Sequence, residues 1–387
     1  MMVYLDNAAT SYPKPRIVYN EIQKCMQEYC ANPGRGGHRM SISSGSAVFK
    51  ARETAAEFFK IGNPLRLAFT KNATEALNIA IKGVLRKGDH VITTSMEHNA
   101  VIRPLKEMEK EEIIELALVW GNNFGEIDSK HIKKSIRPNT KLIISTLSSN
   151  VNGTIMPIKE IGEIAKEKGI LFLVDASQGA GSQRIDVEDI YADMLAFPGH
   201  KGLMGPQGTG GLYVRDGIKI KPIMWGGTGS DSHSYYQPDI FPDMLESGTL
   251  NTPGIVGLGY GIKFIGDLGI DNIQKHKYTL LKRIYDGISH LKGIEIYSIP
   301  DEGKNSGIMA FNFKGVNSPK VSDMLDKKYG IASRAGLHCS PLAHETIGTS
   351  TMGAVRLSVG FFNTTEDIDI AVNALVEISK SIQAGYV

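Results

Sequence analysis

The chain has 387 residues, 42% hydrophobic and 22% charged, with a formal net charge of +2; this is the balance of a soluble globular protein with room for two or three domains. So small a charge argues against nucleic acid or a membrane surface as partner, and no apolar run reaches the length of a membrane span. Three cysteines, Cys25, Cys30 and Cys339, with no CxxC pair speak against a metal centre and for free thiols in a reducing cytoplasm.

The first residues, MMVYLDNAATSYPKP, lack the basic-then-apolar order of a signal peptide and contain a strand over 3–5. Helical periodicity follows over 15–30, where Cys25 and Cys30, five apart, fall on different faces, and again over 46–60. Helices over 73–86, 99–110, 128–136 and 158–168 then alternate with short apolar runs at 65–69, 90–93, 114–119, 142–146, 170–174, 194–197 and 211–214. Such alternation predicts an α/β fold with a mostly parallel, helix-covered sheet. The last third changes to an α+β pattern: GIEIYSI, GIMAFNF, the helix SPKVSDMLDKKYG, IASRA, AVRLSV and the helix EDIDIAVNALVEISKSI. The expected division is a large domain over 14–260 and a smaller one built from 1–13 and 261–387, meeting in or near the helix after Asn251-Thr252-Pro253.

Five stretches carry chemistry. In FTKNATEALNIAIKGVL a strand runs into a helix that Asn72 and Glu75 cap in the manner of a capping box. The free amides there, with the Thr74 hydroxyl, suit a phosphate, although an ordinary capped helix reads the same way. In GILFLVDASQGAG an apolar strand ends in Asp175, which either caps a turn or faces a protonated ring nitrogen, with Gln178 three residues on. In ADMLAFPGHKGLMGPQGTGGLYV a strand ends at Lys201 among glycines and apolar residues, a setting that lowers an amine's pKa and makes it nucleophilic. Those glycines precede a strand rather than open a helix, so the dinucleotide-binding reading is weak. In TTSMEHNAVIRPL, His98 stands between strand and helix, placed to stack on a planar ring. In ASRAGLHCSP, Cys339 lies five residues after Arg334, a cation that favours thiolate; Arg356 opens the later strand in GAVRLSV and is suited to a carboxylate. Each residue alone has a bland structural reading. Together they are the parts of a pyridoxal-phosphate (PLP) site.

With these motifs the sequence resembles the class V aminotransferase family, and within it the cysteine desulfurase/selenocysteine lyase group. The resemblance runs from YLDNAAT to VRLSVGFFNT through TKNATEALN, SMEHNA, SSNVNGTIMP, VDASQ, ESGTLNTP and RAGLHCSP. It implies a fold type I PLP enzyme in which Lys201 is the Schiff-base lysine, Asp175 the ring-nitrogen partner, Gln178 the contact to the phenolic oxygen and His98 the stacking ring and proton shuttle. It further implies phosphate contacts from Ala73, Thr74 and His200, an Asn150 near substrate and cofactor, and substrate contacts from Arg356, Arg334 and His38. Cys339 is then the persulfide-forming cysteine. Thr249 matches a residue that reaches the phosphate of a second subunit, implying a homodimer.

The RxGxHC context with a short connection to Arg356 looks SUF-type. Two departures stand out: Pro198 replaces a phosphate-binding serine two residues before His200, and the glycines of NPGRGGHRMS differ from the best-known SUF-type pattern. The implied reaction converts L-cysteine to L-alanine, leaving a persulfide on Cys339 for an acceptor the sequence does not name. L-selenocysteine is the alternative substrate. A class V aminotransferase or lyase with an incidental Cys339, and a PLP-binding partner without turnover, are the other readings.

Overall fold

The computed structural model describes residues 2–34, 36–230 and 233–385. In chain order its elements are β1 (Val3–Tyr4), α1 (Arg16–Glu28), α2 (Arg39–Phe58), β2 (Leu67–Thr70), α3 (Ala73–Val84), β3 (Asp89–Thr94), α4 (Asn99–Lys110), β4 (Ile114–Val119), α5 (Ser129–Lys134), β5 (Thr140–Thr146), α6 (Ile158–Lys168), β6 (Leu171–Asp175), β7 (Met194–Pro198) and β8 (Gly210–Val214). There follow α7 (Thr252–Leu268), α8 (Ile270–Ile288), β9 (Ile294–Ile296), β10 (Ile308–Phe313), α9 (Ser318–Tyr329), β11 (Ile331–Ala332), β12 (Arg334–Gly336), α10 (Pro341–Thr346), β13 (Ala354–Ser358) and α11 (Thr365–Gln383).

Seven strands form one sheet in the order β2-β8-β7-β6-β5-β3-β4. From β7 to β4 every pairing is parallel, and β8 alone runs antiparallel to its neighbours. The expected mostly parallel α/β sheet is what the chain forms. Two apolar layers sandwich the sheet. One gathers α2, α6 and α7 around Phe172, Phe197 and Leu258; the other gathers α3 and α4 around Leu77, Val101 and Leu212. Strands buried on both faces read as continuous apolar runs, which is why they were visible in sequence.

A second, four-stranded antiparallel sheet runs β12-β13-β10-β9 and packs with α8, α9 and α11 around Phe311, Leu325 and Ile378. Val3 and Leu5 belong to this cluster, because β1 pairs in parallel with β11 in the register Val3↔Ile331. Helix α7 runs unbroken past residue 260 to Leu268, and Gly269 (φ 81°) separates it from α8. Helix α8 escaped the sequence reading. Helix α2 begins at Arg39, seven residues before the expected start, because His38 caps it by accepting the Ser41 N–H at 3.4 Å. Cys25 and Cys30 do not share a helix as expected, since α1 ends at Glu28. Cys25 is buried, and desolvation, with Cys30 alongside, pushes its thiol up to about 11. None of the described helices is long and apolar enough to cross a membrane.

Candidate functional site at the carboxyl edge of the sheet

The strands β2, β3, β5, β6 and β7 all release the chain at the same edge of the sheet, where open α/β folds bind ligands. After β2, Asn72 caps α3 by accepting the Glu75 N–H at 2.9 Å. The box is not reciprocal as expected: Glu75 accepts the N–H of Lys71, one residue earlier, at 2.6 Å. The Ala73 and Thr74 amides in the first turn have no intrahelical acceptor, as helix geometry requires. Both residues line a cavity of about 220 Å³ together with His98, Asn150, Asp175, Gln178, His200 and Lys201.

After β3, His98 becomes the N-cap of α4 and its Nδ1 accepts the Ala100 N–H at 3.0 Å. A neutral ring so held carries its proton on Nε2. Burial, aided by the Lys201 charge, moves its pKa down to about 4. At neutral pH it is therefore an N–H donor, and it accepts a proton only by giving up the Ala100 contact. Asp175, 1% exposed at the end of β6, accepts the Ser177 N–H at 2.9 Å. Gln178 donates one amide hydrogen to the Ala8 carbonyl at 2.9 Å.

The turn after β7 places His200 and Lys201. Glycine is required next, because a Cβ on Gly202 would stand 2.2 Å from the Ala180 carbonyl oxygen. Lys201 is half-buried along the cavity. Desolvation brings its amine down to about 8, opposed by Asp175 and assisted by Arg356 and Arg334. His200 drops to about 4 through burial and then the Lys201 and Lys14 charges. Lys14 fixes the turn by donating to the His200 carbonyl and to Ser11 Oγ, both at 2.7 Å.

Cys339 is exposed, and it follows His338 with both residues at positive φ, 49° and 60°. Few non-glycine residues adopt that region, so something must hold them there. The Cys339 carbonyl accepts the Asn99 N–H at 2.8 Å, and Asn150 Nδ2 donates to the His338 carbonyl at 2.7 Å. Ser340 donates to Asn150 Oδ1 at 2.7 Å. The buried His338 ring stacks on His344, with Nδ1 and Nε2 3.2 Å apart, and His344 in turn meets Thr349 Oγ1 at 2.6 Å. Burial holds His338 at about 2 and His344 at about 4, so the pair is neutral. Arg334 Nη2 lies 3.9 Å from the Cys339 sulfur.

Arg356, 1% exposed, donates to the Asn150 carbonyl at 2.8 Å and to Asp6 at 2.7 Å. Its Nε, like His200 Nδ1, is buried without a partner among the described residues. Of the expected residues, Cys339, Arg334 and Arg356 are not among the described walls of this cavity, nor are two others. Thr249 is exposed ahead of α7, and His38 is an exposed helix cap; neither lines the Lys201 cavity of this chain. A larger cavity, about 1010 Å³ between Gly34 and Pro238, contains no lysine, carboxylate or thiol among its described walls. No cluster of three His, Cys, Asp or Glu side chains able to hold a metal occurs among the described residues.

Sequence reasoning missed four residues here: Asp6, Lys14, Glu97 and His344. Glu97, adjacent to His98, is fully buried. One of its oxygens accepts from Thr94 Oγ1 at 2.6 Å and the Thr146 N–H at 2.9 Å, while Oε2 has no partner among the described residues. Desolvation raises its carboxyl to about 8, with Asp175 adding to the rise. In the fold Glu97 then keeps its proton up to about pH 8, whereas an unfolded chain loses it near 4.5. Unfolding releases a proton between those limits, so stability falls as pH rises through the window. PLP-free Glu97→Gln should match the wild type near pH 5 and exceed it by a few kcal/mol near pH 8. Denaturant melts of both proteins at the two pH values check this; a pH-independent difference would mean Glu97 is ionised.

The family model for class-V aminotransferases matches residues 3–370. The chain belongs to this family. A probable cysteine desulfurase of Methanothermobacter thermautotrophicus is 37% identical over 383 residues, covering 97% of this chain and 94% of that one. A cysteine desulfurase of Haloferax volcanii is 33% identical over 383 residues, covering 97% and 88%. The apo structure of a cysteine desulfurase from Thermococcus onnurineus NA1 superposes with a TM-score of 0.93 at 32% identity, covering 98% and 95%. Class-V aminotransferases are PLP enzymes, and the cavity fits that cofactor. Free helix-α3 amides and the unpartnered His200 Nδ1 suit a phosphate, and a buried carboxylate and a desolvated amine stand on the same walls.

Proposed function

We propose that this chain is a PLP-dependent cysteine desulfurase that converts L-cysteine to L-alanine and takes the sulfur as a persulfide on Cys339. The observation that carries this reading is the placement of Cys339. The thiol stands beside Arg334, on a loop anchored to the first residue of α4 and to Asn150, next to the cavity that holds Lys201. An aminotransferase has no use for that anchoring.

Lys201 would hold PLP covalently through its amine, Asp175 would face the ring nitrogen, His98 would stack on the ring and Gln178 would reach the phenolic oxygen. Ala73, Thr74 and His200 would hold the phosphate. Bound PLP supplies an electron sink that acidifies the substrate Cα–H. The Lys201 amine, near 8 and uncharged in part at neutral pH, accepts that proton. Arg356 meets the substrate carboxylate through its spare Nε–H, its other nitrogens being held by Asp6 and Asn150. The Cys339 sulfur, 3.9 Å from Arg334 Nη2, attacks the substrate sulfur as thiolate. An S–S bond forms, the C–S bond breaks and carbon keeps the electron pair, to be protonated as alanine. The Nε2–H of His98, free because Nδ1 is held by the Ala100 N–H, would serve as proton donor in this step.

Because α7 runs on to Leu268 with Ile262 and Ile265 in the large-sheet core, we draw the joint between domains at Gly269 rather than at 260. A large and a small domain, expected over 14–260 and over 1–13 with 261–387, are part of the same reading. So is a homodimer, supported by exposed Trp225, Tyr235 and Tyr236 and by Thr249 lying off its own chain's cavity. Light scattering should give twice the monomer mass; a fully active monomer would remove Thr249 from the site. A cytoplasmic location belongs here too. The SUF-type placement rests on the short segment from Cys339 to Arg356. The function is tested by alanine release from cysteine and selenocysteine side by side. Alanine from cysteine at a rate matching sulfide supports the desulfurase, whereas alanine from selenocysteine alone makes the chain a lyase of that substrate.

Pro198 lines the cavity and has neither hydroxyl nor N–H. Pro198→Ser should add one charged hydrogen bond to the phosphate, worth roughly 1.5–3 kcal/mol. PLP retention through dialysis should tighten by about 10- to 100-fold. Unchanged retention would assign that contact to another hydroxyl, for which Ser177 and Ser148 on the same wall are placed.

A further inference from the structure

Cys339 lines a space that adjoins the Lys201 cavity. Beside the Lys201 cavity, and sharing Thr74, His98 and Ala100 with it, lies an open groove of about 430 Å³ whose wall includes Cys339. The groove is the furrow between α3 and α4. Thr74, Asn78 and Lys82 line it at four-residue spacing from one helix, and Asn99, Arg103 and Glu107 from the other. Both helices begin at the Cys339 end, so both dipoles turn their positive ends toward the sulfur. Neither Lys82 nor Arg103 has an ion-pair partner among the described residues, whereas the Glu107 carboxylate is paired with Lys110 at 3.6 Å. Arg334 adds a further cation at the thiol. The furrow is thus positive along its length and ends at the nucleophile.

We infer that this groove is the unloading port, and that the acceptor it takes is a thiol carried beside carboxylate groups. The inference rests on the desulfurase reading above and names the acceptor class that reading leaves open. Loading occurs from the Lys201 side and unloading from the groove, with the Cys339 sulfur at the junction. In the transfer, the acceptor thiolate attacks the outer sulfur of the Cys339 persulfide. A new S–S bond forms, the Cys339 S–S bond breaks and Cys339 leaves as thiolate, so the acceptor departs as a persulfide with no net oxidation or reduction. Positive charge along the approach raises the local concentration of an anionic acceptor and repels a cationic one.

The test uses holoenzyme loaded with one equivalent of cysteine carrying radiolabelled sulfur. Release of label from the chain is timed after adding mercaptosuccinate, 2-mercaptoethanol or cysteamine at equal thiolate concentration and low salt. Acetylated Glu-Cys-Glu and Lys-Cys-Lys peptides form the second arm. Anionic probes should unload Cys339 about tenfold faster than cationic ones, and the advantage should shrink in high salt. In Lys82→Glu/Arg103→Glu the order of probes should flatten or reverse, while the first-turnover alanine burst stays at the wild-type level. Preference for mercaptosuccinate alone points to a small acceptor, and preference for the acidic peptide as well to a protein cysteine in an acidic segment. Equal rates for all probes, or a preference that survives the double variant, overturns the inference. Loss of the alanine burst in the wild type itself would instead sink the desulfurase reading.

Discussion

Cys339→Ser should bind PLP with the wild-type colour and still change its spectrum on adding cysteine, yet release almost no alanine. None of the groups assigned to the cofactor includes a thiol. Sulfur departure needs a nucleophile to receive it, and a hydroxyl is far poorer than a thiolate at that task. The expected loss in kcat is on the order of 10² to 10⁴. The loop should keep its shape, because the bonds that hold it use the Cys339 and His338 carbonyls and the Asn150 side chain rather than the sulfur. Selenocysteine should suffer less, since the weaker C–Se bond releases selenium without an enzyme thiol. Alanine release from both substrates, variant beside wild type, is the measurement. A serine variant that turns over cysteine at the wild-type rate would move the aminotransferase or lyase reading to first place.

Lys201→Ala should lose both the covalent hold on PLP and the group that accepts the Cα proton. Borohydride treatment of the wild type should fix the cofactor to the chain, and treatment of the variant should leave it removable. The expected drop in alanine formation is on the order of 10³ or more. Because desolvation brings the Lys201 amine to about 8, the wild-type rate should rise with pH toward that value as the neutral amine is populated. A variant that still yields a chain-linked cofactor on reduction would assign the attachment to another amine, with Lys277, also desolvated to about 8, the next to examine.

The site was legible in sequence where one short segment carries the whole message. Asp175 ends β6, Lys201 sits on the turn after β7, and β6 and β7 are neighbours in the sheet, so both became walls of one cavity. The helix starts at Ala73 and Asn99 were visible for the same reason: a capping residue follows a strand and precedes an apolar face. What escaped depends on partners far apart in the chain. Nothing around Glu97 says that its carboxyl is buried within reach of the Asp175 charge, nor around Asp6 that it will meet Arg356. Helix α8 was missed although its apolar face is regular, because α7 and α8 follow one another with only Gly269 between them. His38, expected at the substrate by resemblance, caps α2 through Nδ1 and does not line the Lys201 cavity of its own chain.

Residues 3–14 tie the active site to the end of the chain. Val3 pairs with Ile331, Asp6 binds Arg356 at a separation of 350 residues, Ala8 accepts from Gln178, and Lys14 grips the turn that carries Lys201. During synthesis this segment is made long before the strands β11 and β13 that hold it. At a translation rate of about 5–20 residues per second it waits roughly half a minute for Ile331 to appear. Until then the seven-stranded sheet can close, since its strands span only residues 67–214, but Gln178 and the Lys201 turn lack their restraints. A nascent chain stopped before β13 should therefore be compact yet leave Asp6 without Arg356 and the candidate site incompletely held. Completion of the candidate site then waits for β13, well after the strands of the large sheet have been made.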